Sequence, residues 1–208
     1  MKTKVIVSIL LITLLLFIVL TVLVITENTT IQSFNEAVYI PVSLIITPAL
    51  TTTAAWIGRL THWYTYAPII VLLLIMPGTR IKIGLPIAIT LSASAILGPI
   101  ILKNIFAIER PSVNQLIEPG GFGYPSGHSM NAIVFFGMCV ILILRYSKSK
   151  VLKIVFTVFA VTATISVGLS RIYLGVHTAT DVLGGYLIGS VVICIAVLIE
   201  KRFTKETH

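Results

Sequence analysis

Acidic side chains are scarce in this chain: Asp and Glu together number 7 of 208 residues, and all charged types make up only 11%. A soluble globular domain sits near 25% charged, so a charged, water-facing shell cannot be built from this composition and a soluble protein is excluded. Cysteine is nearly absent too. Cys139 and Cys194 each lie inside an apolar run. That excludes a disulfide framework and a Cys-x-x-Cys metal site, and both read as buried thiols that fill space. Low-complexity tracts and convincing internal repeats are also missing. What the chain has in quantity is apolar surface, 57% of its residues, with a mean hydropathy of +1.05.

The net charge of +8 would suit nucleic acid only if the basic residues shared one surface. They are instead divided among the ends of apolar runs, as expected of spans that cross a bilayer of about 30 Å. Val5–Ile25 follows Lys2 and Lys4; it is too long for a signal-peptide core, has no A-x-A site, and reads as an uncleaved transmembrane helix. Further spans are expected over Thr61–Met76, Ile83–Leu102, Ser129–Leu144, Val151–Leu169 and Val182–Ile199. The second is the weakest, being short and interrupted by Pro68; Pro86 and Pro99 in the third are tolerable in a membrane helix. Ile40–Ile57 is a rival seventh.

Charge placement decides between the two counts. With six spans and a cytoplasmic N-terminus, the inside carries Lys2, Lys4, Arg80, Lys82, Arg145, Lys148, Lys150, Lys153, Lys201, Arg202 and Lys205. The outside keeps only Arg59, Lys103, Arg110 and Arg171. Seven spans would put six basic residues inside and nine outside, against the positive-inside rule. The expected fold is therefore all-α: residues 1–208 as one membrane domain, an integral bundle of six transmembrane helices. Both termini are expected in the cytoplasm, and residues 27–60 are expected to form short helices on the extracytoplasmic surface. Trp56, Trp63, Tyr64 and Tyr66 would mark an aromatic belt. His62 reads as an interfacial, structural residue, and the sequon Asn28-Thr29-Thr30 carries little weight.

Three of the four outward basic residues lie in segments that also hold the other polar signals, within 103–181. In "KNIFAIERP", Lys103 and Arg110 are seven apart, two turns along one side if the helix continues, and Pro111 ends or redirects the chain. In "GGFGYPSGHSMNA", Gly and Pro punctuate a turn, and Ser126, Gly127 and His128 fall at or just before a helix N-terminus. Free N–H groups there favour an anion. In "SRIYLGVHTATD", Arg171 follows the fifth span, and His177 and Asp181 are four apart at the start of the sixth. The carboxylate can then hold one ring nitrogen and leave the other free to attack. Three cations, an N–H-rich turn, two histidines and one carboxylate at one membrane face suit phosphoryl transfer without a metal. A metal site would want more carboxylates or histidines at ligand spacing.

These segments resemble the type-2 phosphatidic acid phosphatase superfamily, whose pattern is K-x6-R-P, P-S-G-H and S-R-x5-H-x3-D. Here it falls on Lys103 to Arg110-Pro111, on Pro125-Ser126-Gly127-His128, and on Ser170-Arg171 to His177 and Asp181, with every spacing kept. The resemblance implies His177 as a nucleophile forming a phosphohistidine, Asp181 as the group that orients it, and His128 as general acid and then base. Lys103, Arg110, Ser126, Gly127 and Arg171 would form the phosphate cage, with no metal and no cofactor. It implies a lipid substrate held in the bilayer: phosphatidylglycerophosphate, undecaprenyl pyrophosphate or phosphatidic acid. A bacterial cytoplasmic membrane would be the location, with the active site on the extracytoplasmic face. The alternatives are a phosphotransferase using the same phosphohistidine and a non-catalytic lipid-phosphate binding or transport protein. The haloperoxidase branch is soluble, which the spans argue against. Binding alone would need only the cations, so the presence of both histidines and Asp181 favours an enzyme. The empty site is expected to take phosphate, sulfate or vanadate. No nucleic-acid partner is expected, and the motifs are silent on oligomeric state.

Overall fold

The computed structural model describes residues 2–59, 61–75, 85–112 and 114–206. The helices in chain order are α1 (Thr3–Ile25), α2 (Thr29–Ser43), α3 (Pro48–Arg59), α4 (Trp63–Ile75) and α5 (Leu85–Ile96). After a π-helical turn over Leu97–Leu102 come α6 (Lys103–Phe106), α7 (Gly127–Tyr146), α8 (Lys150–Tyr173) and α9 (Ala179–Glu206). Among the described residues, five stretches are long and apolar enough to cross a membrane: α1, the run Leu85–Phe106, α7, α8 and Ala179–Arg202 of α9. The chain is an integral membrane protein.

Of the second expected span, the structure describes α4, Trp63–Ile75. The break that should follow, with Arg80 and Lys82, lies outside the described residues, as do the side chains of Trp63, Tyr64 and Tyr66. The described part of the 27–60 segment carries two helices, α2 and α3. A turn at 44–47 separates them, so Ile40–Ile57 makes no single continuous helix.

The remaining spans run longer than expected at their ends, and the added turns carry polar residues. α8 continues through Arg171 to Tyr173, so Arg171 lies in its last turn rather than after it. The chain leaves α6 at Ala107, which takes a left-handed backbone (φ 50°). Lys103 and Arg110 therefore do not share one helical face: Lys103 is helical and Arg110 sits in the loop beyond. His177 likewise precedes α9 instead of opening it.

The core is built on α9, which packs against α7 and α1 and more lightly on α5. Phe17, Leu91, Met130, Val134, Ile188 and Val191 fill it, with Tyr124 from the loop before α7 at its top. Tyr124 is fully buried; its ring stacks on Phe17 and its hydroxyl lies 2.8 Å from Thr21 Oγ1 of α1. Burial holds that phenol up at about 12, so it stays protonated as a hydrogen-bonding strut. Cys194 is buried and Cys139 only partly so.

Candidate functional site

Three local devices bring the polar segments together, and each follows from its own residues. The first is the start of α7. Ser126 caps it, its Oγ accepting from the backbone N–H of Ser129 at 3.4 Å and from the Ser129 hydroxyl at 3.0 Å. The N–H groups of the first helical turn, Gly127 and His128 among them, have no partner within the helix and aim at whatever lies before it. Ser126 N–H donates to the Asp181 carbonyl at 2.9 Å, which ties this loop to α9.

The second device ends α8. Gly175 adopts φ +67°, a conformation that glycine takes without strain. Gly175 N–H donates to Ile172 O at 2.9 Å and Val176 N–H to Arg171 O at 3.2 Å, the paired bonds of a Schellman ending. The reversal throws Val176 and His177 back across the helix ends. The third device opens α9. Thr178 Oγ1 accepts from Asp181 N–H at 3.2 Å, and Asp181 Oδ2 accepts from Thr178 N–H at 2.9 Å. This is a reciprocal capping box in the stretch Thr178-Ala179-Thr180-Asp181.

The same Asp181 oxygen lies 3.2 Å from His177 Nδ1. The expected His–Asp contact is made, but through the cap of α9 rather than along one helical face. Arg110 Nη1 lies 3.2 Å from the other ring nitrogen, Nε2. A guanidinium only donates, so Nε2 must present its lone pair and Nδ1 must carry the proton that goes to Asp181. Two independent neighbours thus specify one tautomer. Burial pushes His177 down to about 4, opposed by the hydrogen bond and charge of Asp181. The imidazole is therefore neutral at ordinary pH.

The three cations bond to uncharged oxygens. Lys103 Nζ donates to Phe122 O at 2.6 Å. Arg110 donates from Nε to Gly121 O at 2.9 Å, from Nη1 to Val176 O at 2.8 Å and from Nη2 to Gly120 O at 2.7 Å. Arg171 donates from Nη2 to Ala54 O at 3.0 Å and from Nε to Ser170 Oγ at 3.1 Å. Lys103 is 8% exposed, Arg171 4% and Asp181 3%. Desolvation lowers the proton affinity of the Arg110 guanidinium, with Asp181 opposing; such buried positive charge is costly until an anion arrives. Among the described residues, no group of three His, Cys, Asp or Glu side chains is arranged to hold a metal.

All eight expected residues thus sit on the segments that converge here. Lys103 and Arg110 hold the 120–122 loop, Ser126, Gly127 and His128 open α7, and Arg171, His177 and Asp181 lie where α8 turns into α9. Sequence reasoning missed the contribution of the two helices before α4. Ala54 accepts from Arg171, and a Cβ on Gly58 would come within 1.8 Å of Arg171 Nη2, so the bare glycine backbone is a wall of the guanidinium slot. Asn35 of α2 grips Thr180, donating from Nδ2 to its hydroxyl and accepting at Oδ1 from its N–H, both at 3.0 Å. His62, expected to be structural, stands beside His128 with ring centroids 6.3 Å apart. Of these, only the Thr-x-x-Asp box had a local sequence signal.

Comparison with known proteins matches residues 82–205 to the PAP2 superfamily family model. The chain is 40% identical over 91 residues to phosphatidylglycerophosphatase B of Bacillus subtilis, covering 43% of this chain and 44% of that one. It is 34% identical over 144 residues to the undecaprenyl-diphosphatase of Sulfolobus acidocaldarius, covering 66% and 65%. The aligned stretches therefore span about half to just under two thirds of these relatives. Its fold is similar to the crystal structure of a transmembrane PAP2-type phosphatidylglycerolphosphate phosphatase from Bacillus subtilis, with a TM-score of 0.80 and 27% identity, covering 96% of this chain and 97% of that one. Aquifex aeolicus LpxE shares the fold more loosely, at a TM-score of 0.61 and 24% identity, over 79% and 94%.

Proposed function

The chain belongs to the PAP2 superfamily, and from that premise we propose that it is a membrane lipid phosphatase. It removes the terminal phosphate of a lipid phosphate or diphosphate, without a metal, through a phosphohistidine at His177. The observation that carries this reading is the paired setting of the His177 ring. Asp181 accepts a hydrogen bond from Nδ1–H and Arg110 donates toward the Nε2 lone pair, among cations bonded to neutral oxygens.

The Arg110 hydrogen bond engages the lone pair of His177. A phosphate oxygen arriving at Nη1 takes over that donor and frees Nε2. Lys103, Arg110, Arg171 and the first N–H groups of α7 bind the non-bridging oxygens and stabilise the charge that builds in the transition state. Nε2 attacks phosphorus, and the bond to the leaving oxygen breaks as His128 delivers a proton to it. His128 then takes a proton from water, the hydroxide attacks the phosphohistidine, and inorganic phosphate leaves. Asp181 supports the positive charge that the His177 ring carries in between.

The names of the relatives put phosphatidylglycerophosphate and undecaprenyl diphosphate first among substrates, with phosphatidic acid third. α4 provides the second of six crossings, α2 and α3 lie on the outer surface, and the site opens on the extracytoplasmic face with both termini inside. The distribution of basic residues supports this arrangement. The test is to quench turnover with a radiolabelled substrate and recover the protein. An alkali-stable, acid-labile phosphoprotein absent from His177→Ala is expected; a burst of product with no label on the protein would refute the covalent step.

A further inference from the structure

The geometry points to His62 as a second phosphate-binding group on the leaving side of the reaction, which suits the site to a lipid diphosphate. The inference rests on the phosphatase reading above and narrows its substrate class.

His62 is held by a corner built onto the cage itself. Its N–H donates to Arg59 O at 3.1 Å, and its carbonyl accepts from Thr65 N–H at 2.9 Å. The preceding Thr61 is fully buried, with its hydroxyl donating to Gly58 O at 3.2 Å. Gly58 is the residue whose bare backbone accommodates the Arg171 guanidinium. The corner between α3 and α4 thus fixes both Arg171 and His62. In turn, His62 lies alongside His128, the rings tilted at 56° with centroids 6.3 Å apart. That separation is too long for close stacking, but it lets both imidazoles reach one oxygen at hydrogen-bond distances of roughly 3 Å.

In-line displacement puts the leaving oxygen across phosphorus from His177 Nε2, on the side served by His128. If the leaving group is an alcohol, one proton from His128 neutralises the charge that develops there, and the departing oxygen is bonded to carbon rather than to a second phosphorus. A second imidazole at that point would meet no phosphate oxygen on the atom that departs. If the leaving group is a lipid monophosphate, the departing oxygen belongs to a second phosphate whose non-bridging oxygens carry charge of their own. His62 then donates to those oxygens while His128 protonates the bridging one. The electron pair of the broken P–O bond stays on that oxygen, the lipid monophosphate departs, and water later releases inorganic phosphate from His177.

The experiment compares farnesyl diphosphate with farnesyl monophosphate, so that the hydrocarbon is constant, in wild type, His62→Ala and His62→Gln. A lost charge-assisted hydrogen bond predicts a fall of roughly tenfold or more in kcat/KM for the diphosphate in His62→Ala. The monophosphate should change by less than about twofold, and His62→Gln, which keeps a donor, should fall between wild type and His62→Ala on the diphosphate. Equal losses on both substrates in variants that elute as wild type would overturn the role of His62 and leave the phosphatase standing. A wild-type protein that cleaves the monophosphate and not the diphosphate would overturn the diphosphate assignment and leave the phosphatase standing.

Discussion

Arg110 makes four contacts at once, to three backbone carbonyls and to the imidazole of His177. A lysine carries the same charge on a single ammonium and cannot bridge Gly120, Gly121 and Val176 while facing His177. Arg110→Lys should therefore lower kcat/KM by about a hundredfold or more with little change in charge. Asp181 also serves two partners with one oxygen. In Asp181→Asn the amide oxygen can keep both contacts in one flip only, without the carboxylate charge, and in the other flip an amide N–H faces Nδ1 and favours the wrong tautomer. A loss on the order of a thousandfold in kcat is expected, short of the complete loss in His177→Ala. The pH dependence has a definite sign. Nε2 attacks only when the ring is neutral, and burial holds His177 at about 4. Its contribution to kcat/KM should persist down to about pH 5 and be lost as pH falls through 4, after correction for the ionisation of the substrate. An acid limb near the ordinary imidazole value of about 6.5 would contradict this environment.

At the scale of elements, α2 and α3 are working parts of the site rather than its covering. Gly58 leaves the space that Arg171 occupies, and Gly58→Ala would drive a methyl group into the guanidinium. We expect at least tenfold loss of activity in protein that still purifies and melts much like wild type, measured by thermal denaturation beside phosphate release. The Asn35 clamp on Thr180 steadies the start of α9, so Asn35→Ala should cost about 1–2 kcal/mol of stability through the two lost hydrogen bonds. These contributions were hard to read from sequence because a carbonyl that accepts from Arg171, or a glycine that gives it room, looks like any other residue of a short amphipathic helix. The motif residues were legible because chemistry restricts their type and spacing. The apolar cores of the helices were legible because bilayer thickness restricts their length. The ends were not: left-handed Ala107 stops α6 where periodicity alone would have carried it to Arg110, and Asp181 reaches His177 through a cap instead of a helical face.

For the whole molecule, one expected outcome is topological. Gln115 and Lys148 are both exposed, on either side of α7. A membrane-impermeant maleimide should label Gln115→Cys in intact cells and Lys148→Cys only after permeabilisation, in a background lacking Cys139 and Cys194. Metal-free lipid phosphatase chemistry in this cage is read out by phosphate release from purified protein in detergent with EDTA present. The panel would hold phosphatidylglycerophosphate, undecaprenyl diphosphate and phosphatidic acid, with His177→Ala as the control. Turnover should survive EDTA and disappear in the variant. Turnover that EDTA abolishes, or that His177→Ala retains, would contradict that chemistry.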